Sequence, residues 1–172
     1  IGHLSAWLLD MWEDSPAPVN YQMVEGGGKF GVILLRLLRR YDASEWASVK
    51  VGRFEQLVAE QKAWSAANPL TTLSTGPAHG VAASVGGAGM AGEGDEPILA
   101  SPFDCIIIDV EISSLADCLD SALASLAKGG MILVVEPEVP TGDVAADDVV
   151  GQSQVAGFQK WMDFIHRVTV EC

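Results

Sequence analysis

The chain has 172 residues, 49% of them hydrophobic and 19% charged, which is enough apolar material for one core of ordinary domain size. Its formal net charge of -13 opposes nonspecific binding to nucleic acid or anionic lipid, since both would carry the same sign. No apolar run approaches the roughly 20 residues of a membrane-spanning helix, so a single domain over 1–172 with neither nucleic-acid nor membrane partners is expected.

In chain order, Leu4, Trp7, Leu8, Met11 and Trp12 recur at helical spacing and predict a helix from His3 to Trp12, stopped by the acidic, proline-containing stretch 13–18. Val19 to Val24 reads as a strand, Gly26 to Gly28 as a turn, and Phe30 to Arg40 as a helix. The pattern repeats with a strand at Ser48 to Val51 and a helix from Phe54 to Ala67, whose Phe54, Leu57, Val58, Gln61 and Trp64 fall near one face. Leu70 to Leu73 reads as a short third strand. The stretch from Gly76 to Pro97, rich in glycine and alanine with few large apolar side chains, reads as a flexible loop. A loop of that length is a lid or an insertion, and the absence of an aromatic anchor favours insertion.

Phe103 to Ile108 is an apolar strand, Leu115 to Ala127 a helix, Gly129-Gly130 its capping turn, and Met131 to Val135 a further apolar strand; both strands read as buried on two faces. Asp143 to Asp148 is an acidic loop, Val155 to Ile165 a final helix, and Arg167 to Val170 a last strand. Alternating strands and helices imply βαβ crossovers and a mostly parallel sheet with helices on both faces, an α/β fold.

Cys105, Cys118 and Cys172 show no Cys-x-x-Cys spacing and read as reduced thiols, the first two as small core residues. His3, His79 and His166 lie far apart, which favours solvated or capping roles over metal ligation. The start at Ile1, without initiator Met or signal peptide, reads as an excised domain or processed product, with the cell interior, the cytoplasm first and an organelle second, as the expected compartment.

In an open parallel sheet, ligands bind beyond the carboxyl ends of the strands. That rule selects Glu25-Gly26-Gly27-Gly28-Lys29-Phe30-Gly31 after the first strand, Asp109-Val110-Glu111 after the fourth and Glu136-Pro137-Glu138 after the fifth. The glycines let a backbone approach a ligand closely, and the helix that follows presents free N–H groups. Asp109, Glu111, Glu136 and Glu138 offer oxygens for magnesium or calcium, although acids also gather at strand ends because those ends are wet. Lys29 lacks the spacing and trailing Ser or Thr of a P-loop.

A strand followed by Glu-x-Gly-x-x-x-Gly and a helix resembles the first motif of the class I S-adenosylmethionine-dependent O-methyltransferases of the catechol and caffeoyl-CoA type, matched here by Glu25, Gly27 and Gly31. Phe103 to Asp109, Asp117 to Leu126 and Lys128 to Val135 are similar to that family's fourth strand, helix, Gly-Gly turn and fifth strand. Gly157 to Lys160 and His166 to Glu171 resemble its last helix and sixth strand. The resemblance implies a Rossmann-like methyltransferase sheet in which Glu25, Gly27, Gly28 and Gly31 cradle the methionine part of the donor. It also places Asp109 at the donor site and makes Asp109 and Glu136 ligands of a divalent metal such as magnesium.

Departures from the pattern are equally specific. Gly52 and Arg53 stand where the family's ribose-binding acid ends the second strand, a loss worth about 1–3 kcal/mol of donor affinity. No lysine follows Asp109 as a base, Glu136-Pro137 replaces an Asp-Asn metal pair, and Cys172 leaves no residues for a seventh strand. Two readings follow: an O-methyltransferase acting on a small hydroxylated acceptor, or a pseudoenzyme of the same fold serving as a structural or protein-interaction module. An unfinished sheet edge implies a protein partner or a dimer.

Overall fold

A computed structural model of the chain describes residues 2–15, 19–68, 97–136, 138 and 142–171. It is a mixed α/β structure with five helices and two short parallel sheets among the described residues. The chain divides into two compact units, Ile1–Ala100 and Ser101–Cys172. The expected strand at Leu70 to Leu73, all but the end of the expected loop 76–97, and His79 lie outside the described residues.

In the first unit, α1 (His3–Glu13) precedes a βαβ arrangement of β1 (Tyr21–Glu25), α2 (Gly28–Arg40) and β2 (Ala47–Val51), followed by α3 (Phe54–Ala67). The strands pair in parallel from Tyr21 opposite Ala47 to Glu25 opposite Val51. Apolar side chains of α2 recur at three- and four-residue spacing, so Gly31, Leu34 and Leu38 share the buried side. They meet Met23, Ala47 and Val49 from the strands and Leu9 from α1 in one core. The predicted apolar stripe of α1 is only partly used: Leu8 and Leu9 are buried, whereas Trp7 and Met11 point outward.

Two buried or half-buried amides tie down the segment 97–100. Gln61, 8% exposed, accepts the Leu99 N–H through Oε1 at 2.9 Å and donates from Nε2 to the Ser65 hydroxyl at 3.2 Å. Gln22 accepts the Ala100 N–H through its own Oε1 at 3.2 Å. A buried amide left without partners costs about 1–3 kcal/mol, so these bonds make Gln61 tolerable inside and fix Leu99, itself fully buried, against α3.

Tyr21 stacks edge-to-face with Trp12, ring centroids 5.2 Å apart. Burial raises its phenol above the ordinary value, and a hydrogen bond with Ser5 partly opposes that rise. The folded chain therefore holds the phenolic proton at a pH where the unfolded chain, titrating near 10, has begun to lose it. Stability falls as pH rises through and beyond about 10, and replacing Tyr21 with Phe removes that part of the fall. Urea midpoints measured at pH 9 and pH 11 for the two proteins check this; equal losses would contradict it.

In the second unit, β3 (Phe103–Ile108) and β4 (Leu126–Val134) pair in parallel and enclose α4 (Ile112–Ser125), with α5 (Val149–Glu171) packed on α4. Ile108, Ile112, Leu115, Leu119, Ala122 and Phe164 are buried. Gly157 sits at a close approach of the two helices, since a β-carbon there would lie 2.5 Å from the Ile112 carbonyl oxygen. Arg167 of α5 pairs with Asp120 of α4 at 2.5 Å and lies over the Phe164 ring, 5.2 Å from its centroid.

Several expectations are corrected in this unit. Gly129-Gly130 does not cap a helix: α4 ends at Ser125 and the chain passes directly into β4. The register slips between Phe103, opposite Leu126, and Cys105, opposite Met131. Gly129 takes up the extra residues with φ 83, a left-handed conformation that favours glycine. Secondly, Arg167 to Val170 is helix rather than strand, despite its β-branched residues; the Thr169 hydroxyl donates to the Ile165 carbonyl and Arg167 is held by Asp120. Thirdly, α5 begins at Val149, six residues before the apolar pattern suggested. Lastly, within this unit and among the described residues only one face of the strands is covered: helix α4 lies on it, and Cys105, Met131 and Leu133 are exposed on the other. Cys105 is therefore not a core residue, while Cys118 is.

Candidate functional site

Strand β1 delivers Glu25 to the start of the glycine turn, and Gly27, in extended conformation, is the N-cap of α2. Phe30 and Gly31 donate their N–H groups to the Gly27 carbonyl, both at 3.0 Å, opening the helix. Gly28 and Lys29, at the first helical positions, then have no acceptor within the helix. Half-buried Glu25 turns back over this turn, its Oε1 accepting the Gly27 N–H at 2.9 Å. A β-carbon at Gly26 or Gly28 would meet nothing within 4 Å, so the backbone is open on that side. The turn thus sets a carboxylate beside N–H donors that have no acceptor among the described residues, a pairing suited to a ligand with both cationic and anionic groups.

Gly31 has a different role. A β-carbon at that position would lie 2.5 Å from Cγ2 of Val51, so α2 presses on β2 at a distance only glycine permits. Close helix–strand packing is the task of the last glycine in dinucleotide-type turns.

Beyond β2, the Gly52 N–H donates to the Glu25 carbonyl at 2.9 Å and continues the ladder past Val51. Arg53 is the N-cap residue of α3 and pairs with Glu55 at 3.6 Å. Glu55, in the first turn of α3, is the nearest acid following β2. Its only mark in the sequence is an acid in the first turn of a helix that starts beyond a strand, not an acid at the strand end itself.

The second unit holds the other candidates. Asp109 follows β3 and Glu136 follows β4 at the same end of a parallel pair, where the Val135 N–H donates to the Ile108 carbonyl at 2.8 Å. Both acids are exposed, as are Glu111 and Glu138. Among the described residues no three of His, Cys, Asp and Glu gather as a metal-binding group, so the four acids are not assembled into one cluster.

His3 and His166 are exposed, as a solvated role requires. A shallow groove between α4 and α5 is lined by Asp117, Asp120, Asp163, Lys160, Arg167 and Phe164, none of them a site residue predicted from the sequence. Among the described residues no helix is long and apolar enough to cross a membrane. The chain matches no protein-family model, no curated protein and no solved structure.

Proposed function

We propose that this chain is a Rossmann-like methyltransferase domain that binds S-adenosylmethionine at the turn after β1 and transfers its methyl group to a small hydroxylated acceptor. The observation that supports this reading is the β1–glycine turn–α2 arrangement, in which Glu25 folds over a turn whose Gly28 and Lys29 N–H groups have no acceptor among the described residues. The donor's methionine part brings an ammonium for the carboxylate and a carboxylate for the N–H groups. Gly26 and Gly28 leave room for it, and Gly31 holds the helix close. Asp109 and Glu136 supply oxygens to a divalent cation. Holding acceptor oxygen, methyl carbon and sulfur in line is the main catalytic contribution such a domain makes.

Titration of S-adenosylmethionine, and of its demethylated product, into the full chain by calorimetry with and without magnesium tests this reading. Dissociation constants below about 100 μM are expected, and no heat at millimolar donor contradicts it. Gly52 and Arg53, in the place of an acid, favour a second reading in which the fold serves only as an interaction module; that absence of heat is its expected result. A Glu25→Gln change separates the two roles of the carboxylate. Glutamine keeps an oxygen for the Gly27 N–H, so the urea midpoint stays near that of the parent, while the lost charge weakens donor binding about tenfold or more. Unchanged affinity would remove Glu25 from the donor site.

A further inference from the structure

Helix α2 carries four of the chain's ten Lys and Arg residues and no acid between Gly28 and Arg40, in a protein of net charge -13. Lys29, Arg36 and Arg40 are exposed and form no ion pair among the described residues. Their spacing places them along one side of the helix. The same side holds Val32 and Ile33, which are 49% and 42% exposed. The result is a basic stripe with an apolar middle on a protein whose net charge is acidic.

One segment of the chain has the complementary character. Asp143, Asp147 and Asp148 are exposed, with no base between residues 142 and 150, and they run into Val149 and Val150, which are 80% and 69% exposed. Asp148 also caps α5 by accepting the Gly151 N–H at 3.0 Å. We propose that the outward stripe of α2 docks the 142–150 segment of a second copy of this chain. Cations then meet acids, and Val32 and Ile33 meet Val149 and Val150. Stripe against stripe is disfavoured because it would set Arg36 and Arg40 on like charges. The contact is therefore heterologous, and copies join head to tail. Exposed ion pairs are individually weak and screened by salt, so the association is modest and electrostatic in its salt response.

Sedimentation of the full chain is the test. Up to about 300 μM protein, the mean mass rises with concentration in about 20 mM sodium chloride and returns to the monomer in about 500 mM. Arg36→Glu with Arg40→Glu raises the dissociation constant at least about tenfold. So does Asp143→Lys with Asp147→Lys, a pair that leaves the Asp148 cap in place. Circular dichroism of each variant matches the parent, because the altered side chains are exposed. An equimolar mixture of the two variants associates again, since each supplies the face that the other needs. A monomer under every condition, or association indifferent to both reversals, overturns the proposal. So does a mixture that fails to recover, and so does binding of the monomer to vesicles containing phosphatidylserine that Arg36→Glu with Arg40→Glu abolishes.

Discussion

Gly157→Ala is expected to destabilise the second unit by about 2–4 kcal/mol, although alanine is the better helix former by roughly 1 kcal/mol. The local preference is overruled by packing. A β-carbon at position 157 would lie 2.5 Å from the Ile112 carbonyl oxygen and 2.6 Å from the Ser113 α-carbon. Both are main-chain atoms at the start of α4, so neither rotates aside as a side chain can. Relief requires α5 to move away, and that movement loosens Phe164 and the Arg167–Asp120 pair along the same interface. Amide exchange of α4 and α5, followed with the urea transition of the full chain, checks the effect. Protection equal to or greater than the parent's would show that the helices are not packed this closely.

Gly31→Ala should cost about 1–3 kcal/mol by overpacking and should weaken donor binding in the same protein. The new methyl group meets a β-branched side chain, since Cγ2 of Val51 is 2.5 Å from the position a β-carbon would take. Valine has few rotamers through which to retreat, so α2 shifts and carries the N–H groups of Gly28 and Lys29 with it. Removing the obstacle supplies the control. In Gly31→Ala with Val51→Ala, the space freed by the valine methyls accommodates the added one, and stability exceeds the sum of the single effects by roughly 1 kcal/mol or more. Strict additivity of the urea midpoints would mean that helix and strand do not touch at this point.

How far the sequence could be read depended on whether local pattern and tertiary packing agreed. They agree in β1, α2, β2 and α3, where apolar spacing, the glycine turn and strand propensity all point the same way; the helix from Phe54 to Ala67 begins and ends as expected. The strand Phe103–Ile108 also has its expected bounds. They disagree at Leu126 to Gly130. There a pair of glycines resembles a helix cap, but a register slip against Phe103 and Cys105 draws them into a strand. They disagree again at Val168, Thr169 and Val170, where β-branched residues continue a helix. In the candidate site, Glu25 and the glycines were legible because backbone geometry restricts residue choice there. The Glu25–Gly27 hydrogen bond and the Arg53–Glu55 pair were not, because side-chain direction leaves no mark on spacing. Gln61 illustrates the limit: its position on the helix face was evident, but its partner Leu99 lies 38 residues away.

The outward side of the β3–β4 pair carries a consequence for handling the protein. Met131 and Leu133, 56% and 49% exposed, sit beside exposed Cys105 on a narrow, partly wetted apolar strip. Strongly excluded anions such as sulfate raise the cost of wetting such a strip, whereas chloride chiefly screens charge. Two salts of equal ionic strength therefore act on different surfaces of this molecule, and crystallisation or precipitation in one says little about behaviour in the other.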